Sequence, residues 1–377
     1  MKVAIVGAGP AGALAAALLA RDGARAVVFD ASHPREKPCG GGLTAKALRL
    51  LPAAPAADPL PVRRLDRCRF DSGAGDSVEV ALAQPVGIAS RRAFDAWLLR
   101  RAVEAGALHV AERVIAVDAA GRVRTSTGRG ETFDVVVGAD GAGSLVRRTL
   151  LSPTPSSRLM MAAGWFARGD SEMVVRFAPE LEGYLWLFPR PGHVGVGICA
   201  PLARVPTRRM IDRLESEVAR AFPALVDAEA PRYAHTIPSP GTDPRSLLEV
   251  AGDRWGLIGD AAALADPITG EGIYYALRSA EVLAETLRAD GSPRRYPERA
   301  LESFGRELLK AAALHERFYA PGFARRMVRF AARSGAIRNV LADLVLGEQG
   351  YAGLKRRLLR AGPRFAVEYA VSSAGPS

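Results

Sequence analysis

Apolar residues open the chain in short, dense runs. Residues 3–6 are Val-Ala-Ile-Val, the pattern of a strand buried on both faces, and residues 26–29 repeat it. Between them, residues 10–20 are small, apolar and uncharged, which predicts a helix that closes at Gly23. Residues 91–106 carry apolar positions at helical spacing and end in glycine, and 133–137 form another near-continuous apolar strand. From 156 to 249 the pattern changes to alternation, around 173–177, 184–188 and 194–199, with a Pro-Arg-Pro-Gly turn at 189–192. That predicts an antiparallel sheet, with an amphipathic helix over 207–222 crossing it. The opening character returns at 255–263 and leads into a helix reaching about Leu287, after which 297–370 reads as a helical tail without repeats.

The expected fold is therefore α/β, a parallel-sheet nucleotide domain interrupted by an antiparallel one. The expected partition is 1–70, 98–155 and 250–290 for the first domain, 71–97 and 156–249 for the second, and 291–377 for a C-terminal helical region. The first strand and helix are joined by Gly7-Ala-Gly9-Pro10-Ala11-Gly12, and Asp30 stands at the end of the next strand. Glycines there permit a tight turn, close backbone approach to a pyrophosphate at the helix N-terminus and close helix–sheet packing, while a carboxylate accepts from ribose hydroxyls. With strand, helix and carboxylate all in place, the motif predicts dinucleotide binding. Ala31 offers no cation for a 2′-phosphate, so NADP is not expected at this site. A second cluster, Arg35-Glu-Lys-Pro-Cys39-Gly40-Gly41-Gly42-Leu43, is too rich in glycine for a helix or strand and reads as a loop pressed near something.

Composition narrows the class. The 377 residues are 49% hydrophobic and 24% charged, ordinary for a folded chain of two or three domains. Cys39, Cys68 and Cys199 form no Cys-x-x-Cys pair, which argues against structural zinc and a secreted disulfide framework and favours a reducing cytoplasm. Residues 3–20 lack charge and imitate a membrane span, but the glycines and Pro10 break the run. The remaining stretch of about 11 residues is roughly 16 Å long as a helix, too short to cross a bilayer. Lys and Arg total 51 against 40 Asp and Glu, a net +11, yet no basic block is interleaved with aromatics and no nucleic-acid partner is expected. The excess is concentrated: residues 317–364 hold eleven Lys or Arg and two acids, a net +9. Apolar neighbours such as Phe323, Met327, Val328, Phe330, Leu341, Leu344 and Leu346 predict a basic amphipathic face that touches a membrane surface peripherally, against the alternative that the arginines are the solvated face of a helix packed on the nucleotide domain.

Three motifs in order resemble the flavoprotein hydroxylase superfamily with its glutathione-reductase-type FAD fold: Gly7/Gly9/Gly12 with Asp30, Asp140-Gly141, and Gly259-Asp260 with Pro267, Gly270 and Gly272. Within it, the Pro38-Cys39-Gly40-Gly41-Gly42 loop, the Tyr184-Leu-Trp186-Leu-Phe188-Pro189 stretch and the tail from Gly347 to Leu359 resemble the geranylgeranyl reductase family. The family commonly has glutamate where this chain has Asp30.

The resemblance implies an FAD enzyme that reduces isoprenoid carbon–carbon double bonds. It implies that Gly41 and Gly42 lie at the cofactor, that Arg91 stands beside the diphosphate or ribityl chain, with Arg92 as the alternative, and that Asp260 binds the ribityl hydroxyls. Backbone N–H groups at Gly270, Gly272 and Ile273 would face the flavin pyrimidine and stabilise the anion of the reduced ring. Asp140 serves the flavin, a visiting nicotinamide or only its turn. Cys39 is the candidate for chemistry beyond the flavin, positioning substrate or delivering a proton, with a small packed residue as the alternative. Tyr184, Trp186 and Phe188 share one face at period two and wall an apolar substrate pocket, unless they are core. The five histidines show no ligand spacing and read as structural or surface residues. No second glycine-rich nucleotide motif follows, so NAD(P)H or a redox protein is expected as a transient electron donor. The runner-up activity is an FAD-dependent monooxygenase acting on an aromatic or polyketide-like molecule; halogenation is disfavoured, because Trp-x-Trp-x-Ile-Pro is matched only at Trp186 and Pro189.

Overall fold

A computed structural model describes residues 1–320 and 322–360. Its first layer is a five-stranded, wholly parallel sheet in the spatial order Trp255–Leu257, Val135–Gly138, Lys2–Val6, Arg25–Phe29, Leu108–Val110. Lys2–Val6, Arg25–Phe29 and Val135–Gly138 are covered on both faces, which is why they read as near-continuous apolar runs, whereas the edge strand Leu108–Val110 is partly exposed. The helix Pro10–Arg21 packs between Arg91–Glu104 and Ile273–Asp290, and the three share one core with the sheet. Small residues make this packing possible: a Cβ at Gly12 would overlap the carbonyl oxygen of Gly7. A three-stranded antiparallel meander, Val114–Val117, Arg122–Thr125 and Gly130–Thr132, fills the stretch before the strand Val135–Gly138.

The second layer is an eight-stranded sheet in the order Arg232–Pro238, Leu159–Ala167, His193–Pro201, Gly183–Arg190, Val174–Ala178, Arg63–Asp71, Ser77–Ile88, Gly42–Leu43. All its pairs are antiparallel except Val174–Ala178 with Arg63–Asp71. The helix Thr207–Ala221 lies across it on Met210, Leu214 and Val218. Two expected boundaries fall inside elements. The strand Arg63–Asp71 belongs to the large sheet although most of it was expected in the nucleotide domain. The helix Arg91–Glu104 buries Phe94, Trp97 and Leu98 in the nucleotide core although its first half was expected with the substrate domain.

The C-terminal region packs back on the large sheet through the helices Arg306–Phe318, Phe323–Arg333 and Gly335–Val345. Here the structure corrects the expectation of an apolar face on offer to a membrane. Val328, Leu341 and Leu346 are 0–4% exposed in a cluster with Phe70, Val80 and Ile88, because the apolar side of these helices is what holds them to the sheet. Arg325 and Arg329 approach Asp76 at 2.9 and 3.8 Å. Arg326 stays exposed, as do Lys355, Arg356 and Arg360 with their chain neighbours Leu358 and Leu359, and Arg364 lies outside the described residues. Among the described residues no helix is long and apolar enough to cross a membrane.

Candidate active site

One large cavity lies between the two sheets, and the motifs converge on it from both sides. At its polar end, Gly9, Pro10 and Ala11 form the wall where the first helix begins. The three glycines divide the work. Gly7 has φ +102° and a Cβ there would meet the backbone of Ala139; Gly12 packs on Gly7; a Cβ on Gly9 would meet nothing within 4 Å, since that side is the cavity. Gly7 and Gly12 thus shape the turn without lining the space. Asp30 stands beside the turn and accepts from the N–H groups of Ala8 and Ser32 at 2.9 and 2.8 Å. Burial pushes its carboxyl up, but these donors prevail and hold it below the usual range.

Asp260 lines the cavity and is paired with Lys37 at 2.8 Å. Burial would raise its pKa; the Lys37 ammonium outweighs that and keeps it ionised. Gly270, Glu271, Gly272 and Ile273 line the cavity where the long helix Ile273–Asp290 starts; contrary to the expectation for Gly270, its N–H is donated to the Asp266 carbonyl at 2.9 Å and that of Glu271 to the Thr269 hydroxyl at 3.2 Å, which leaves Gly272 and Ile273 at the helix N-terminus. Pro267 does not line it; its carbonyl lies 2.8 Å from Nδ1 of His315. Glu271 accepts from Thr44 at 2.7 Å and pairs with Lys46 at 2.6 Å, yet burial dominates and raises its pKa. Asp140 uses Oδ2 to cap the helix Leu145–Leu150, accepting from the Leu145 N–H at 2.6 Å, while Oδ1 is buried without a partner. It therefore serves its turn with one oxygen and leaves an acceptor at the cavity wall, and burial raises its pKa.

Of the two adjacent arginines, Arg91 lines the cavity and Arg92 is exposed. Arg91 is buried in a bidentate pair with Asp95, both contacts 2.8 Å. Burial disfavours its charge, but Asp95 and the neighbouring Cys39 thiol more than restore it. Cys39 accepts at Sγ from the Gly41 N–H at 3.3 Å and lines the cavity. Cys68 and Cys199 are buried instead, and desolvation pushes both thiols up to about 12. The glycine-dense loop is explained by close approach. A Cβ on Gly40 would lie 2.6 Å from the Phe188 ring, and Gly41, at φ +80°, abuts the carbonyl of Ala89. Gly41 and Gly42 both line the cavity.

Tyr184, Trp186 and Phe188 all face the cavity from the strand Gly183–Arg190. The Tyr184 hydroxyl donates to the carbonyl of Thr269, tying the aromatic wall to the loop that leads into the helix Ile273–Asp290, and Trp186 Nε1 is buried without a partner. Beyond them an apolar arm is lined by Phe70, Val86, Met173 and Phe177 of the large sheet and by Phe318 and Leu341 of the C-terminal helices.

Lys37 and His235 are among the cavity residues to which the motifs gave no role. His235, expected to be structural or surface, lines the cavity with Nε2 buried and unpartnered; burial, helped by Lys37, lowers its pKa to about 4, so the ring is neutral near pH 7. Its only sequence signal is its place in an alternating strand. The polar end fits a flavin dinucleotide on three structural grounds: open space above Gly9, a helix N-terminus at Gly272, and the unpaired oxygen of Asp140.

Residues 1–58 match the family model described as FAD binding domain. The chain is 33% identical over 318 residues to the menaquinone reductase of Mycolicibacterium smegmatis, covering 77% of this chain and 76% of that protein. It is 28% identical over 319 residues to the geranylgeranyl diphosphate reductase of Synechocystis sp., covering 77% and 75%. It is 30% identical over 338 residues to digeranylgeranylglycerophospholipid reductase 1 of Methanopyrus kandleri, covering 80% and 86%. Among solved structures, a geranylgeranyl bacteriochlorophyll reductase-like protein from Thermoplasma acidophilum shares the fold with a TM-score of 0.75 at 20% identity, over 95% of this chain and 98% of that one. The flavin-dependent brominase Bmp2 shares it at 0.72 and 18% identity, over 97% and 100%. With a glutathione-reductase-type fold, motifs gathered on one cavity and relatives of this kind, the chain is an FAD-dependent oxidoreductase and belongs to the geranylgeranyl reductase family of the flavoprotein hydroxylase superfamily.

Proposed function

We propose that this chain reduces a carbon–carbon double bond in the isoprenoid chain of a lipid. The observation that carries the proposal is the apolar lining: Phe70, Val86, Met173, Phe177, Phe318 and Leu341 wall the same cavity as the nucleotide motifs and the aromatic residues, surroundings that suit an apolar chain. When bound, reduced FAD supplies the hydride. The chain's own part is to hold and to exclude. N–H groups of Gly9, Ala11 and Gly12 and the first helix dipole meet the diphosphate, Asp260 accepts from ribityl hydroxyls, and the N–H groups of Gly272 and Ile273 offset negative charge on the reduced ring. Arg91, fixed by Asp95, adds positive charge on the same side. Tyr184, Trp186 and Phe188 flank the reacting alkene and keep water out, and Cys39 sits where it orients the alkene or passes a proton to it.

The names of the relatives span a prenyl diphosphate, a menaquinone and a phospholipid, and an isoprenoid chain is common to all three. The electron donor, NAD(P)H or a redox protein, visits rather than resides. Exposed Arg326, Lys355, Arg356 and Arg360 supply a peripheral contact with an anionic lipid surface. Anaerobic stopped-flow tests the proposal: flavin reduced beforehand is reoxidised by an unsaturated polyprenyl lipid without oxygen, and not by its saturated counterpart. Reoxidation only on admission of oxygen would favour the monooxygenase reading.

A further inference from the structure

The loop that carries Cys39 is tied down by one carboxylate and one arginine, and neither of them lines the cavity. Glu36 accepts from the Ser90 hydroxyl at 2.5 Å and from the Arg91 backbone N–H at 2.9 Å, so it caps the helix Arg91–Glu104 from outside that helix. The same oxygen, Oε1, accepts from Nη1 of Arg190 at 2.9 Å. Arg190 ends the strand whose alternate residues make the aromatic wall. Its side chain is 0% exposed, lies 4.6 Å over the Phe166 ring, and donates to the carbonyls of Cys39 and Gly40, the latter at 3.4 Å. A buried guanidinium must satisfy its donors, and here the loop carbonyls and Glu36 do so. Burial of the arginine and the shape of the loop therefore depend on each other.

We propose that Glu36 and Arg190 are a positioning pair: they hold the Cys39 backbone, and with it the thiol, against the cavity wall while locking the large sheet to the nucleotide-side helix. They act through the loop and not on the substrate. The consequence for turnover rests on the role proposed above for Cys39; the placement of the thiol does not, so the two fail separately.

The chain contains its own controls, since Cys199 lies on the strand next to Arg190 and Cys68 on the first long strand of the sheet, both at most 1% exposed. The test is alkylation of the FAD-loaded, full-length protein with iodoacetamide, followed peptide by peptide by mass spectrometry. In Glu36→Gln and Arg190→Met, Cys39 is alkylated about tenfold faster than in the parent, as local opening exposes it, while Cys68 and Cys199 stay protected. Arg190→Lys, which keeps a donor for Glu36, falls between. An unchanged Cys39 rate in both variants overturns the proposal. So does an equal rise at all three cysteines in both, because the pair would then support the sheet as a whole and not the loop.

Discussion

At Gly9 the backbone already has an extended conformation that any residue adopts, and a side chain there meets only the cavity. Gly9→Val is therefore expected to fold normally and to purify without flavin, checked by the ratio of flavin absorbance to protein; full FAD content would contradict the placement of the diphosphate. Cys39→Ser is expected to keep FAD and lower kcat by about a hundredfold or more, the range of a lost proton-transfer group. Cys68→Ser and Cys199→Ser leave it nearly intact, and equal small effects at all three would return Cys39 to a packing role. His235 gives a pH signature. Its folded-state pKa is about 4 against an ordinary 6.5, so between those values the unfolded chain binds the extra proton. The stability it contributes is complete above pH 6.5 and is lost as pH falls toward 4. His235→Gln should flatten that part of a denaturant-midpoint profile, and an unchanged slope would deny the shift. Gly9 and Asp260 were legible because each belongs to a motif written in adjacent residues. Lys37, His235 and Arg190 were not, since Lys37 meets Asp260 across 223 positions and Arg190 meets Glu36 across 154, and no local pattern encodes such a meeting.

Elements whose environment is uniform along their length announce themselves. The strand at 2–6 is buried on both faces and the helix at 10–21 is covered nearly all round, so hydrophobicity alone delimits them. The strand Arg63–Asp71 reads Arg-Arg-Leu-Asp-Arg-Cys-Arg-Phe-Asp, with charge at most positions, and only its pairing with Ser77–Ile88 and Val174–Ala178 defines it. That is why the domain partition slipped there. The loop at 35–43 was legible as a loop and as a close approach, but the partners, Phe188 and Ala89, come from other elements. Gly41 is its most constrained point, with a left-handed backbone and no space for a Cβ. Gly41→Ala is expected to cost about 1–3 kcal/mol through strain and overlap, measured by chemical denaturation with and without FAD. A neutral effect would mean that the loop adopts another path.

Across the whole molecule, one sheet presents nucleotide-binding loops, the other an aromatic wall, and the C-terminal helices close the apolar arm between them. Most of the helices' apolar residues are buried or half-buried, so membrane contact depends on the exposed cations and on Phe330, Leu358 and Leu359. Each cation is worth about 1 kcal/mol near an anionic leaflet, so binding should be reversible and salt-sensitive. Liposome flotation should show the protein on anionic vesicles at low salt, released at high salt and in an Arg356→Glu/Arg360→Glu variant. Arg357 is excluded because it pairs with Asp343. No flotation at any salt would remove the surface role without touching the reductase claim. That claim is tested most directly by the mass of the product: the FAD-loaded protein, reduced under anaerobic conditions, is incubated with an unsaturated polyprenyl lipid and the lipid is weighed by mass spectrometry. The expected product has gained two hydrogens per turnover with no oxygen present; a product that forms only with oxygen and carries one oxygen atom would contradict alkene reduction.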